Sequence, residues 1–86
     1  MPLVWSIKWD SRAIKEVAEI PKADRKRIVD VVERLAANPL RGKPLKGRWE
    51  GLRRIRVGVY RIIYALRKAE LTILVLRIGS RGDVYR

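Results

Sequence analysis

Near Leu52 the spacing of apolar residues changes period, and this change limits the fold of the 86-residue chain more than any other feature. Upstream, Ile28, Val31, Val32, Leu35 and Ala36 recur at i, i+3, i+4, i+7 and i+8, which is one face of a helix. Downstream the period is two, as in a strand with one buried face. A chain that changes period once, in its middle, has helices in one half and a sheet in the other. Neither layer can hide its apolar side alone, so the two must pack together.

The remaining elements follow from local chemistry. In Val4 to Trp9, Trp5, Ile7 and Trp9 share one side and Val4 and Ser6 the other, which predicts a first strand. Asp10 and Ser11 are N-cap residue types and open a short helix with apolar positions Ile14, Val17 and Ala18. Pro21 ends that helix and is expected in the first turn of the next, which runs from about Lys22 to Ala37 and stops at Asn38-Pro39. Residues 40–51 hold three glycines and a proline among Arg and Lys, and read as a loop. Leu52–Val57, Tyr60–Arg67 and Leu71–Ile78 are three strands joined by tight turns at Gly58-Val59 and Lys68–Glu70, an antiparallel meander. Val84-Tyr85, after a Gly-rich loop, has the composition for a short last strand. The expected architecture is α+β, a single two-layer domain over residues 1–86. Its N-terminal strand and two-helix hairpin pack on a mostly antiparallel sheet, in the order βααβββ with room for that fourth C-terminal strand.

Charge narrows the function. The chain carries a net +12, of which residues 1–40 supply +2 and residues 41–86 supply +10. Fourteen of the 21 basic residues are Arg, whose planar fork clamps phosphate bidentately. Such a charge attracts polyanions, so nucleic-acid phosphate is the expected partner. No cysteine and no histidine is present, which removes disulfides, thiolate metal sites and the usual general base. Glu50, Glu70 and Asp83 are the only acids after residue 40, too scattered to hold Mg²⁺, so no metal and no cofactor is expected. No apolar run approaches the ~20 residues of a membrane span. The opening MPLVWSIKWD lacks the basic-then-apolar order of a secretory signal, which makes a cytoplasmic setting the expectation.

Alternation then assigns faces. With Ile55 and Val57 turned to the helices, Arg54 and Arg56 project from the opposite side, ~6.5–7 Å apart along the strand. Tyr60, Ile62, Tyr64 and Leu66 are the inward set of the next strand, which leaves Arg61 outward with Ile63 and Ala65. In the last strand Leu74, Leu76 and Ile78 are expected inward and Arg77 outward. Arg81 follows on a Gly-flanked loop near Tyr85. Outward arginines are common on one-sided antiparallel sheets, but several converging on one face favour an anion there. Tyr64 is expected in the core. Trp49 suits either a core cap or a plate on which a base stacks.

The second half of the chain resembles the RelE/ParE toxin superfamily. The resemblance rests on the ordered set Leu45-Lys46-Gly47, the basic strand Leu52–Val57, Gly58, Tyr60-Arg61, Ile62–Tyr64, Leu71–Ile78, Gly79–Arg81 and Val84-Tyr85, and it extends over nearly the whole chain. RelE-like members are toxins that enter the ribosomal A site and cleave the mRNA there without metal, whereas ParE-like members poison DNA gyrase. Resemblance to the RelE branch implies a ribosome-dependent endoribonuclease that inhibits translation, with mRNA, ribosomal RNA and a RelB-like antitoxin as partners. It implies catalytic roles for Arg61, Arg81 and Tyr85 and RNA contacts from Arg54 and Arg56; Lys46 and Arg48 of the basic loop and the outward Arg77 are expected as further RNA contacts on their charge and placement. The strand pair is often lysine in that branch and is arginine here. An arginine effectively never deprotonates, so Arg54 and Arg56 suit phosphate binding better than proton transfer. A ParE-like gyrase inhibitor and a non-catalytic RNA-binding domain are the other readings.

Overall fold

A computed structural model describes residues 4–80. The chain runs β1 (Ser6–Trp9), α1 (Ser11–Ala18), α2 (Lys22–Leu35), β2 (Lys43–Pro44), β3 (Leu52–Val57), β4 (Tyr60–Arg67) and β5 (Thr72–Ser80). The strands form one sheet in the order β1-β5-β4-β3-β2, with β1 parallel to β5 and the other neighbours antiparallel. The helices cover one face, so the two-layer α+β expectation holds, and β3 and β4 have the expected bounds. Residues 84–85, where a last strand was expected, lie outside the described residues.

Asp10 caps α1 by accepting the Arg12 N–H at 3.1 Å. The buried side of α1 is Ala13 and Val17, continued by Ile20, rather than the expected Ile14, Val17 and Ala18. Spacing of four and then three keeps those residues in line, whereas Ile14 lies a sixth of the circle or more off that line and is 52% exposed. Pro21 takes the N-cap position of α2 rather than a place in its first turn. The Arg25 guanidinium donates to the Ala18 and Ile20 carbonyls and so finishes α1. On α2 the stripe of Ile28, Val32 and Leu35 is fully buried, against Val57, Ile62, Val75 and Ile78 near one end and Tyr64 and Ile73 near the other.

The last strand departs from the simple alternation. Ile63 pairs with Arg77 and Tyr64 with Val75, so Leu76 is an extra residue in β5. This bulge resets which residues face the helices. Ile73, Val75 and Ile78 are the core residues, while Leu74 and Leu76, expected inward, are half-buried. Leu71, before the strand, has φ 48°, the left-handed region. The stretch read as loop also holds order. β2 forms a two-residue ladder, Lys43 opposite Arg54 and Pro44 opposite Arg53, and Gly47–Trp49 make one turn of 3₁₀ helix.

Candidate nucleic-acid interface

The β3–β4 hairpin assembles the basic face. Val57 pairs with Tyr60 across the two-residue turn Gly58-Val59. Gly58 has φ 61° and Val59 a negative φ, the pattern of a type II′ turn, whose twist matches that of the strands it joins. This tight closure sets Arg56 directly opposite Arg61 and Arg54 opposite Ile63. Ile55 pairs with Ile62 on the helix side, so Arg54, Arg56 and Arg61 share the other face, as the alternation implied. Directly opposed like charges destabilise a hairpin by up to ~1 kcal/mol. Among the described residues, none of these three guanidiniums makes an ion pair or a side-chain hydrogen bond. Three cations held side by side with no acid are an electrostatic socket for an anion.

The other expected contacts separate into three groups. Lys46, which precedes the 3₁₀ turn, and Arg48 within it are exposed near the Leu52 end of β3, which is four residues or ~13 Å along the strand from Arg56. Arg77 does not join the outward set. Its Nε donates to both oxygens of Glu16, at 3.3 and 3.1 Å, and a terminal guanidinium nitrogen lies 3.1 Å from Glu16 Oε2. Glu16 also accepts the Ile78 N–H at 2.9 Å, beside the bulge. Arg77 pairs with Ile63 and so starts from the outer face, but β1 pairs with β5 only as far as Val75, and beyond that point Glu16 of α1 meets the Arg77 side chain at the open edge of β5. Arg81 and Tyr85 lie outside the described residues; the described chain ends with Gly79 opposite Arg61 and Ser80 opposite Tyr60.

Three residues of this region were not anticipated. Arg41 and Lys43 line a cleft of about 220 Å³ with Gly42, Arg54, Ile55 and Arg56. Arg53, whose place beside Arg54 gave no hint of a separate role, lies on the helix side and donates to the Leu40 carbonyl at 3.2 Å and the Gly42 carbonyl at 2.6 Å. The fully buried Tyr64 hydroxyl donates to the Pro39 carbonyl at 2.8 Å and accepts the Gly42 N–H at 2.9 Å. Burial raises the Tyr64 pKa above its ordinary 10.0, partly offset by the Gly42 hydrogen bond and the Arg53 charge. Period-two reading identifies Tyr64 as inward but has no means of pairing it with a loop 22 residues away. Trp49 is half-buried in the 3₁₀ turn. Among the described residues no cluster of three or more Asp or Glu side chains is placed to hold a metal ion, and no helix is long and apolar enough to cross a membrane.

This two-layer fold is shared with solved RelE-type toxins. The chain aligns with a chain of the toxin–antitoxin complex RelBE2 from Mycobacterium tuberculosis at a TM-score of 0.85 and 26% identity, covering 91% of this chain and 99% of that one. It aligns with a free mutant form of E. coli RelE at 0.82 and 20% identity, covering 95% and 90%, a likeness of fold. In sequence it is 29% identical over 84 residues to Toxin RelG of M. tuberculosis, 95% of this chain and 97% of that protein. The model of the ParE toxin of type II toxin–antitoxin systems, parDE, matches residues 7–85. The chain belongs to this family, within the RelE/ParE superfamily, and is a toxin of a toxin–antitoxin system.

Proposed function

We propose that this toxin is a ribosome-dependent endoribonuclease that cleaves mRNA in the ribosomal A site without a metal ion and so inhibits translation. The observation that carries the reading is the trio Arg54, Arg56 and Arg61, on one sheet face and without an acidic partner among the described residues. The names RelG and RelE of its relatives support the same branch.

RNA carries its own nucleophile. The 2′-oxygen attacks the adjacent phosphorus and the bond to the 5′-oxygen breaks, leaving a 2′,3′-cyclic phosphate. The 2′ proton goes to a base, and the departing 5′-oxygen takes a proton from solvent. The enzyme must align the groups, take the first proton and balance the charge that gathers on the phosphorane. In this reading Arg61 and Arg81 hold the non-bridging oxygens, while Arg54 and Arg56 hold the flanking backbone. Tyr85 is the base. A free phenol titrates near pH 10, and neighbouring cations favour its ionised form. Lys46 and Arg48, at the far end of β3, suit ribosomal RNA. Arg77, engaged by Glu16, serves the packing of α1 and leaves the set of RNA contacts. A RelB-like antitoxin with an acidic binding segment would neutralise the +12 charge, as the RelBE2 complex of M. tuberculosis suggests by likeness.

Primer extension on a translated mRNA tests the reading. Cuts in phase with codons, appearing only when ribosomes are present, are the expected result. Arg61→Ala and Arg81→Ala should each lower cleavage ~10-fold or more. Tyr85→Phe should slow cleavage more than it weakens RNA binding, whereas equal loss of both would make Tyr85 a packing or stacking residue. The ParE name of the matching family favours a second reading, inhibition of DNA gyrase. Loss of supercoiling activity with intact mRNA would select it, and RNA binding without cleavage would leave a non-catalytic domain.

A further inference from the structure

The segment from Pro39 to Lys43 is clamped, and what the clamp presents is charge. Two hydrogen bonds to Tyr64 and two from Arg53 hold its backbone against the end of the sheet. A side chain at Gly42 would have its Cβ 2.5 Å from Tyr64 Oη and 2.8 Å from the Arg54 carbonyl oxygen, so only glycine allows this approach. On either side of the buried Gly42, Arg41 and Lys43 are exposed. They face Arg54 and Arg56 across the 220 Å³ cleft, and Lys43 is the direct ladder partner of Arg54.

Of the six described residues lining this cleft, four are cations and none is an acid. Among the described residues none of the four makes an ion pair. Arg56 also borders a second cleft, against α2, with Arg27, Asp30 and Arg34, but there Asp30 is present and Arg27 lies 3.8 Å from Asp24. Among the described residues the uncompensated field therefore points from the hairpin towards Arg41 and Lys43, and none of those lining the cleft is aromatic.

We propose that the cleft between Arg41-Gly42-Lys43 and β3 is a second backbone-phosphate site. It takes the phosphates of single-stranded RNA next to those held by Arg54, Arg56 and Arg61, without regard to base. The strand leaves the hairpin across Arg54 and passes Lys43 and Arg41. The inference rests on the RNA-cleaving reading above and extends its binding site.

The test is the salt dependence of binding by the full chain to a short fluorescein-labelled single-stranded RNA, without ribosomes, followed by anisotropy. Each phosphate contact on a single strand contributes a slope of ~0.7 in log K against log salt, so Arg41→Ala with Lys43→Ala should flatten the slope by ~1.4. Uracil-rich and adenine-rich strands should respond alike. The control removes two charges elsewhere, Arg12→Ala with Lys15→Ala on α1, and should change the slope much less. An equal change in the control would reduce the effect to bulk charge and overturn the proposal. An unchanged slope in the Arg41/Lys43 variant, with a flatter one in Arg54→Ala with Arg56→Ala, would remove the cleft and leave the hairpin reading standing. If neither pair moved the slope, the RNA reading itself would fall. If the Arg41/Lys43 variant lost only binding to a poly-glutamate peptide, the cleft would belong to an acidic protein partner instead.

Discussion

Tyr64 is the residue on which the geometry of the basic cleft turns. Its hydroxyl supplies both an acceptor for Gly42 and a donor to Pro39 from a fully buried position. Tyr64→Phe leaves that N–H and that carbonyl without their partner, and should cost about 1–3 kcal/mol in denaturant unfolding. Its titration gives a second, independent check. The folded state raises the Tyr64 pKa, chiefly by burial. The unfolded phenol begins to lose its proton near pH 10, while the folded one still holds it. The unfolded state then binds fewer protons, so stability is complete below pH 10 and falls as pH rises through the folded pKa. The native chain should lose stability more steeply above pH 10 than Tyr64→Phe does. Parallel alkaline slopes for the two proteins would show that the hydroxyl is not the group being titrated.

At the scale of elements, one carboxylate adds a polar link between α1 and the sheet to their apolar packing. Glu16 on α1 accepts from the Arg77 side chain and from the Ile78 backbone at the bulge of β5. The pair is largely shielded, with side-chain exposures of 17% for Arg77 and 24% for Glu16. Glu16→Ala removes the acceptor shared by the Arg77 side chain and the Ile78 N–H, and should cost about 2 kcal/mol, a fall in melting temperature of roughly 8–16 °C for a domain of this size. Glu16→Gln keeps an acceptor for Ile78 and should lose about half as much. A fall under ~2 °C for the alanine variant would show that packing of Ala13, Val17 and Ile20 holds α1 without this contact.

The same element shows where sequence reading stops. β3 and β4 were legible to the residue because a two-residue Gly-containing turn and unbroken alternation leave one register. From them the common face of Arg54, Arg56 and Arg61 followed. The bulge at Leu76 was not legible, because an apolar run such as Ile73–Leu76 alternates equally well in either phase. The contact of Arg77 with Glu16 was hidden for another reason: alternation within a strand is silent about a helix residue 61 positions away that packs at the strand's edge. Arg41 and Lys43 escaped notice for a different reason. A two-residue strand leaves no period, and the hydrogen bonds that fix it come from Tyr64 and Arg53, remote in the chain.

For the molecule as a whole, stability and binding should respond to salt in opposite directions. A net +12 is carried on a body 35 × 31 × 21 Å across, and only two ion pairs, Arg27–Asp24 and Arg77–Glu16, form among the described residues. At an ionic strength near 0.01 M the screening length is ~30 Å, so every cation feels every other. Near 0.15 M it is ~8 Å, and repulsion shrinks to neighbours such as Arg56 and Arg61. Salt therefore relieves the folded state of self-repulsion more than it weakens its few ion pairs, and the melting temperature should rise over that range. RNA affinity should fall over the same range as counterions compete for the phosphates. Arg61→Thr removes the cross-strand clash and should raise the melting temperature at low salt while lowering cleavage. A short polyanion should do the same for the native chain by binding only the folded state. Scanning calorimetry at three salt concentrations checks the central claim. A melting temperature that fell as salt was added would mean that attraction, not repulsion, dominates the charge distribution, and the arginine face would no longer read as a site kept unpaired for an anionic partner.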